Sequence, residues 1–327
     1  MKSTINWGIL APGGIARRFA SGLSVVPDAE LIAIGSRSKE RADAFADKWD
    51  VPRRYGNYED LVSDPDIDAI YVATLNTFHK DCVMLCLRAG KAVLCEKPFA
   101  INAKEAREMI ACAQECNQFL MEAMWTRFLP IMVKIRQMLA DGAIGEPRML
   151  TADFGYRKAV DSESRIFNPQ LGGGGLLDVG IYTIAMASMV FGGAPSKIAS
   201  LANIDESDVD EQVAMLLGYD KGQMALLSCS IRTTTPHEAR IMGTDGSIFI
   251  PGFWQATGAT LHASGKEPEP IEMPFEGGGF EFEAMEVMRC LRDGKLESDV
   301  LPLSESLSMM ETMDSLRAQW GLKYPME

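Results

Sequence analysis

Residues 94–99, Leu-Cys-Glu-Lys-Pro-Phe, set a carboxylate and an ammonium directly after an apolar run, Ala92-Val93-Leu94, that reads as a buried strand. Charged side chains at the carboxyl end of a strand in an open α/β sheet face the crevice where ligands bind. A lysine there exchanges protons near neutral pH if its surroundings lower its pKa. The competing reading is a solvated loop. A second chemical pattern lies in the other half of the chain. Gly172 to Gly175 precede a helical stretch that runs to Phe191, and Asp178 and Tyr182 are four apart on one helix face. A carboxylate and a phenol beside a glycine loop would bind and protonate polar ligand groups. The alternative is an acidic residue favoured by the helix dipole and a tyrosine in the core.

A third pattern suggests what the ligand carries. Ala11-Pro12-Gly13-Gly14-Ile15-Ala16 separates a strand (residues 4–10) from helical character at residues 17–25. Strand, glycine turn and helix make the setting of a dinucleotide fingerprint. Gly13 would let the backbone approach a pyrophosphate, Ala16 would let helix and strand pack closely, and the helix N-terminus would offer its N–H groups. Ala11 replaces the first glycine of the usual motif. The next strand (residues 30–35) ends in Ser36-Arg37-Ser38-Lys39, with Arg41 beyond. A site for NAD usually has Asp or Glu here, so hydroxyl and basic groups favour the 2′-phosphate of NADP over NAD. Thr74, Leu75, Asn76 and His79 follow another buried strand (residues 68–73). Together with Gly13, Gly14, Ile15, Ala16, Ser36, Arg37, Arg41, Glu96 and Lys97 they form the expected cofactor-binding set.

These residues need a scaffold that brings strand ends together. Residues 39–49, 58–62, 80–89 and 103–115 read as helices, the last capped by Asn102, and residues 92–95 and 119–122 as strands. Strands alternating with helices mean a doubly wound parallel sheet with right-handed crossovers. After Gly145-Glu146-Pro147 the character changes. Residues 149–156, 197–203, 212–219, 223–231, 238–243 and 247–251 read as strands joined by turns, hence a mainly antiparallel open sheet in an α/β domain. Helices are expected at residues 282–293 and 304–320, the second capped by Ser304. Met309, Met310 and Met313 read as core, and residues 276–279 as a flexible loop or turn. The expected division is a nucleotide-binding domain at 1–122 and a substrate-binding and dimerisation domain at 123–327. The C-terminal helix is expected to pack back on the first domain.

A chain of 327 residues with 47% apolar and 24% charged content is a globular protein of two domains. A net charge of -13 argues against nucleic acid and anionic membranes as partners. No signal peptide is read at the N-terminus, and no apolar run is expected to reach the ~20 residues of a membrane span. Seven cysteines without disulfide spacing suit a reducing cytoplasm, and three histidines make a Cys/His metal site a poor reading, so no metal is expected.

The glycine turn, Glu96-Lys97-Pro98 and the pattern at residues 172–182 together resemble the glucose–fructose oxidoreductase, inositol dehydrogenase and MocA (Gfo/Idh/MocA) family along essentially the whole chain. Residues 121–128, Met-Glu-Ala-Met-Trp-Thr-Arg-Phe, and 165–169, Arg-Ile-Phe-Asn-Pro, look most like the branch of dimeric dihydrodiol dehydrogenases and NADP-dependent D-xylose dehydrogenases. The resemblance implies an N-terminal Rossmann domain and a C-terminal domain whose open sheet forms a homodimer. It implies a catalytic Lys97 and a cis Lys97–Pro98 peptide that fixes where the lysine points. It matches Asp178 and Tyr182 to substrate-binding and acid/base positions, and extends the cofactor contacts to Trp125 and Arg165. Many relatives carry histidine at Tyr182 and proline at Leu75.

The implied chemistry is hydride transfer between the nicotinamide and a secondary alcohol or carbonyl of a sugar or cyclic diol. Tyr182 or Lys97 would accept the hydroxyl proton, and an adjacent lysine would lower the phenol's pKa. Asp178 would bind a substrate hydroxyl or orient the pair. Trp125, Phe154, Trp254 and Phe280 would line the substrate pocket, or alternatively pack the core. Two other classes compete: a non-catalytic nicotinamide sensor or scaffold, which needs none of Lys97, Asp178 and Tyr182, and a phosphate-binding hydrolase, for which no Walker, metal or Ser/His/Asp pattern is visible.

Overall fold

The computed structural model describes residues 3–161 and 163–327. Strand β1 (Ile5–Leu10) is followed by α1 (Gly14–Leu23), β2 (Ala29–Gly35), α2 (Lys39–Trp49), β3 (Arg53–Tyr55) and α3 (Tyr58–Val62). Then come β4 (Ala69–Val72), α4 (His79–Arg88), β5 (Ala92–Glu96), α5 (Ala103–Cys116) and β6 (Leu120–Ala123). All six strands are parallel, in the order β3-β2-β1-β4-β5-β6. Every residue of β4, β5 and β6 is buried, as expected of apolar runs covered on both faces by helices. The strand order reverses between β1 and β4, which opens a crevice at their carboxyl ends.

The chain continues through α6 (Pro130–Ala140), β7 (Pro147–Gly155) and α7 (Ile181–Phe191) into β8 (Lys197–Ile204), β9 (Asp210–Gly218) and β10 (Met224–Ser230). Strands β11 (Ala239–Gly243), β12 (Gly246–Ile250), β13 (Gly258–Ala263) and β14 (Glu269–Glu272) complete an eight-stranded sheet. Its order is β14-β13-β12-β11-β7-β10-β9-β8, and only the β7–β10 pair is parallel. Helices α8 (Glu281–Arg292) and α9 (Leu303–Trp320) end the chain. In β9 and β10 buried and exposed residues alternate, and Leu201, Leu216, Met224 and Leu226 lie exposed on one face of the sheet.

Contacts divide the chain into two compact units, Met1–Trp125 with Glu276–Leu307, and Thr126–Phe275 with Ser308–Glu327. Helix α8 lies on α1, where a Cβ on Gly22 would stand 2.8 Å from the Cβ of Phe280.

Several elements differ from the reading of the sequence. Helix α1 starts at Gly14 rather than residue 17, directly on the glycine turn. Helix α9 starts at Leu303, and the Pro302 carbonyl accepts from the Glu305 and Ser306 amides, so Ser304 lies inside the helix and is not its cap. Residues 276–279 are ordered by the Glu281 carboxylate, which accepts from the Gly277 and Gly279 amides at 3.0 and 2.8 Å. Residues 169–191 have the length and hydropathy of a membrane span, against the expectation of no such run, but 78% of that apolar window is buried. Met309, Met310 and Met313 are core residues.

Candidate active site

The first group of site residues surrounds the start of α1. Gly13 is extended, no side chain caps the helix and its first turn holds no acid, so its amides are available to an anion. A Cβ on Gly14 would meet nothing within 4 Å, so the turn borders open space. Ala16 is fully buried beneath it. These features fit a bound pyrophosphate. Ala11 has φ +79°, the left-handed region that glycine enters freely, so it keeps the motif's backbone without its glycine.

At the end of β2, Ser36 is buried and its Oγ accepts from the Ser38 amide. Ser38 caps α2 through the Arg41 amide. The Arg37 guanidinium stands 5.1 Å from the Phe78 ring centroid. No carboxylate lies between Gly35 and Lys39.

The third group holds the loop after β5. The Tyr71 hydroxyl of β4 donates to Glu96 Oε1, and the Lys97 amide donates to Glu96 Oε2 at 3.2 Å. The Lys97–Pro98 peptide is cis. His79 lies with Nδ1 2.9 Å from the Pro98 carbonyl and Nε2 3.2 Å from that of Thr74. Burial lowers its pKa to about 4 against the pull of those carbonyls, so the imidazole is neutral. A neutral ring clamping two carbonyls is a strut between the loops after β4 and β5, and His79 is 1% exposed. Glu122 of β6 adds a third hold, accepting from the Phe99 amide at 3.1 Å. Burial raises the Glu96 pKa, opposed by Tyr71 and Lys97. Leu75 has φ -66°, the value proline would impose, so its departure from the family pattern leaves the backbone unchanged. Asn76 is buried, with Oδ1 accepting from the Thr77 amide. Trp125 stacks on Phe280 at 4.7 Å and 13°, and the Arg18 guanidinium lies 5.6 and 4.9 Å from the two ring centroids.

The remaining residues belong to the second unit. The stretch Leu176–Gly180 is a π-helical turn that passes into α7, so Asp178 and Tyr182 do not share the face that strict α-helical spacing suggests. The Asp178 carboxylate accepts from Tyr156 Oη at 2.7 Å and pairs with Arg165 at 2.8 Å. Arg165 therefore stands with Asp178 in this unit. Tyr182 packs against Phe154 at 5.3 Å, and Phe154 stacks on Trp254 at 5.1 Å and meets His237 edge-on at 4.9 Å. Arg127, Met132, Met186, Met189 and Phe253 line a small pocket against Tyr182. The four aromatic residues expected to line one pocket thus form two clusters, Trp125 with Phe280 and Phe154 with Trp254. Tyr71, Glu122 and Tyr156 have no local signal in the sequence, because each reaches its partner across strands.

Comparison with known proteins decides the family. Residues 5–124 match the model of an oxidoreductase family with an NAD-binding Rossmann fold, and residues 132–249 match the GFO/IDH/MocA C-terminal domain. The chain belongs to the Gfo/Idh/MocA oxidoreductase family. Within it, the chain is 40% identical to the trans-1,2-dihydrobenzene-1,2-diol dehydrogenases of Mus musculus and of Homo sapiens, each alignment covering 99% of both chains. A 3-ketoreductase from Actinomadura kijaniata, solved with NADP and TDP-benzene, superposes with a TM-score of 0.85 at 25% identity over 96% of this chain and 97% of that one. An aldose-aldose oxidoreductase from Caulobacter crescentus shares the fold, with a TM-score of 0.87 at 24% identity over 97% and 98%. The expected family, the fold class and a nicotinamide-dependent oxidoreductase are all borne out.

Proposed function

We propose that this protein transfers a hydride between NADP and a secondary alcohol or carbonyl of a sugar or cyclic diol, with Lys97 and Tyr182 in the acid/base roles. The observation that carries the reading is the loop after β5. Tyr71 and Glu96, His79, and Glu122 hold it from three sides at the carboxyl edge of the parallel sheet, and it carries Lys97. Such investment in one lysine-bearing loop suits a proton-transfer group that must keep its place. The nicotinamide supplies the hydride chemistry when bound. In oxidation, Tyr182 or Lys97 takes the hydroxyl proton, and Asp178 accepts a hydrogen bond from the substrate. The diol named for the mammalian relatives and the NADP held by the 3-ketoreductase support the substrate class and the cofactor.

Choice of NADP rests on Arg37 and Ser36 at the end of β2, where a carboxylate would repel a 2′-phosphate. The exposed apolar face bearing Leu201, Leu216 and Leu226 supports a homodimer through the second sheet. Seven free cysteines support a cytoplasmic location.

A screen of sugars and cyclic diols with NADP and NAD, followed at the reduced-nicotinamide absorbance, tests the reading. Lys97→Ala and Tyr182→Phe are each expected to lower turnover by roughly 10²–10⁴ while NADP still binds. Undiminished turnover in both variants would sink the acid/base assignment.

A further inference from the structure

Asp178 has both carboxylate oxygens engaged by its own unit. Oδ1 pairs with the Arg165 guanidinium at 2.8 Å, and Oδ2 accepts the Tyr156 hydroxyl at 2.7 Å. The three side chains differ in exposure. Asp178 is 14% exposed and Arg165 41%, so the carboxylate sits just inside a surface that the guanidinium reaches from solvent. Tyr156 follows β7 directly, and its amide donates to the Ser230 carbonyl of β10 at 3.0 Å, which fixes the root of the phenol. Two residues earlier on the same strand, Phe154 contacts both Tyr182 and Trp254. An aromatic wall and an oriented carboxylate are thus carried by one strand and the helix above it.

The chemistry of this arrangement is specific. A carboxylate oxygen has two lone pairs, so one protein donor on each leaves Asp178 able to accept from a ligand. The guanidinium balances the negative charge, so the pair offers an acceptor without net charge. Burial and the adjacent carboxylate push the Tyr156 phenol above its ordinary range, and it stays a donor at any assay pH.

We propose that Tyr156 is a positioning residue for Asp178, and that the Arg165–Asp178–Tyr156 triad selects neutral ring substrates that carry a second hydroxyl beside the reacting carbon. This rests on the oxidoreductase reading of the same site and names the group that reads the second hydroxyl. A ring lies against Phe154 and Trp254, and its second hydroxyl donates to Asp178. A ring with one hydroxyl forgoes that bond.

Calorimetric binding of trans-cyclohexane-1,2-diol and of cyclohexanol to the NADP-loaded protein tests it. In the wild type the diol is expected to bind at least ten-fold more tightly, the scale of one hydrogen bond to a charged group. Tyr156→Phe is expected to weaken the diol about ten-fold and cyclohexanol less than two-fold. In an Asp178→Asn background the same substitution is expected to change neither. Arg165→Gln, at an exposed position, reads the triad from its other side and is expected to lower the same preference. A general packing role for Tyr156 would move both probes together. Equal effects on both probes, or an unchanged diol preference in Tyr156→Phe and Arg165→Gln, overturn the proposal. Turnover separates the two readings. Diol preference without hydride transfer to any sugar or diol leaves the triad standing and removes the oxidoreductase assignment, whereas turnover without diol preference does the reverse.

Discussion

Ala11 shows how a departure from a motif is absorbed at a single residue. Its φ of +79° places a Cβ in a region that costs an L-residue roughly 1–2 kcal/mol. Ala11→Gly is therefore expected to raise the melting temperature of the nucleotide-free protein by a few degrees, as about 1 kcal/mol does in a chain of this size. An unchanged or lower melting temperature in a calorimetric scan would show that the methyl packs favourably enough to offset the backbone. Arg37 makes the second residue-scale prediction. Arg37→Asp is expected to move cofactor preference from NADP towards NAD, read as the ratio of kcat/KM for the two; a constant ratio would count against the 2′-phosphate reading. Lys97, Asp178 and Tyr182 were legible in the sequence because residue type, glycine context and order along the chain point to them. Their partners were not. Tyr71 is 25 residues from Glu96, and Glu122 is 23 from Phe99, so only the sheet makes them neighbours.

At the scale of elements, the helix that carries Asp178 and Tyr182 is tied at its start to Asp210. The Leu176 amide donates to Asp210 Oδ2, and burial raises the Asp210 pKa to about 7, with Leu176 and other amides opposing. The folded protein therefore holds a proton at Asp210 that the unfolded chain gives up near pH 4. More protons bound in the folded state means stability falls as pH rises between those values, by up to about 1.4 kcal/mol per unit, and levels off above the upper one. Glu283 in α8 acts in the same direction. It is fully buried, neither oxygen has a hydrogen-bond partner, and burial raises its pKa well above the usual range, with Glu96 and Glu281 adding to the rise. Asp210→Asn keeps an acceptor for Leu176 and is expected to flatten the decline in melting temperature from pH 5 to 7; an unaltered slope would assign that decline to other groups. The first six strands were readable because continuous apolar runs bounded by turns have few alternatives. Strands β13 and β14 were not, because residues such as His262, Glu269 and Glu272 blur the alternation. Helix α6 does carry a helical pattern in Ile131, Ile135 and Met138, but it starts at a proline without a side-chain cap, so the usual opening signal is missing.

For the whole molecule, the sheet face bearing Leu201 (80% exposed) and Leu216 (53%) is the surface on which the homodimer proposal stands. Leu201→Lys with Leu216→Lys is expected to convert dimer to monomer in sedimentation equilibrium without loss of secondary structure. A wild-type monomer, or a doubly substituted dimer, would move the interface elsewhere or remove it. The chain path has a consequence for synthesis. The unit that begins at the N-terminus is completed by Glu276–Leu307, so it waits for about 150 intervening residues before α8 can cover α1 and the Leu296 carbonyl can meet the Leu120 amide. At ordinary translation rates that delay is roughly 10–30 s. Through that interval the nascent nucleotide-binding half keeps the surface around Gly22 uncovered, so a ribosome stalled near residue 275 would display an unfinished sheet domain to chaperones, and a stop codon there would remove the closing helix of the first unit rather than trim the end of the second.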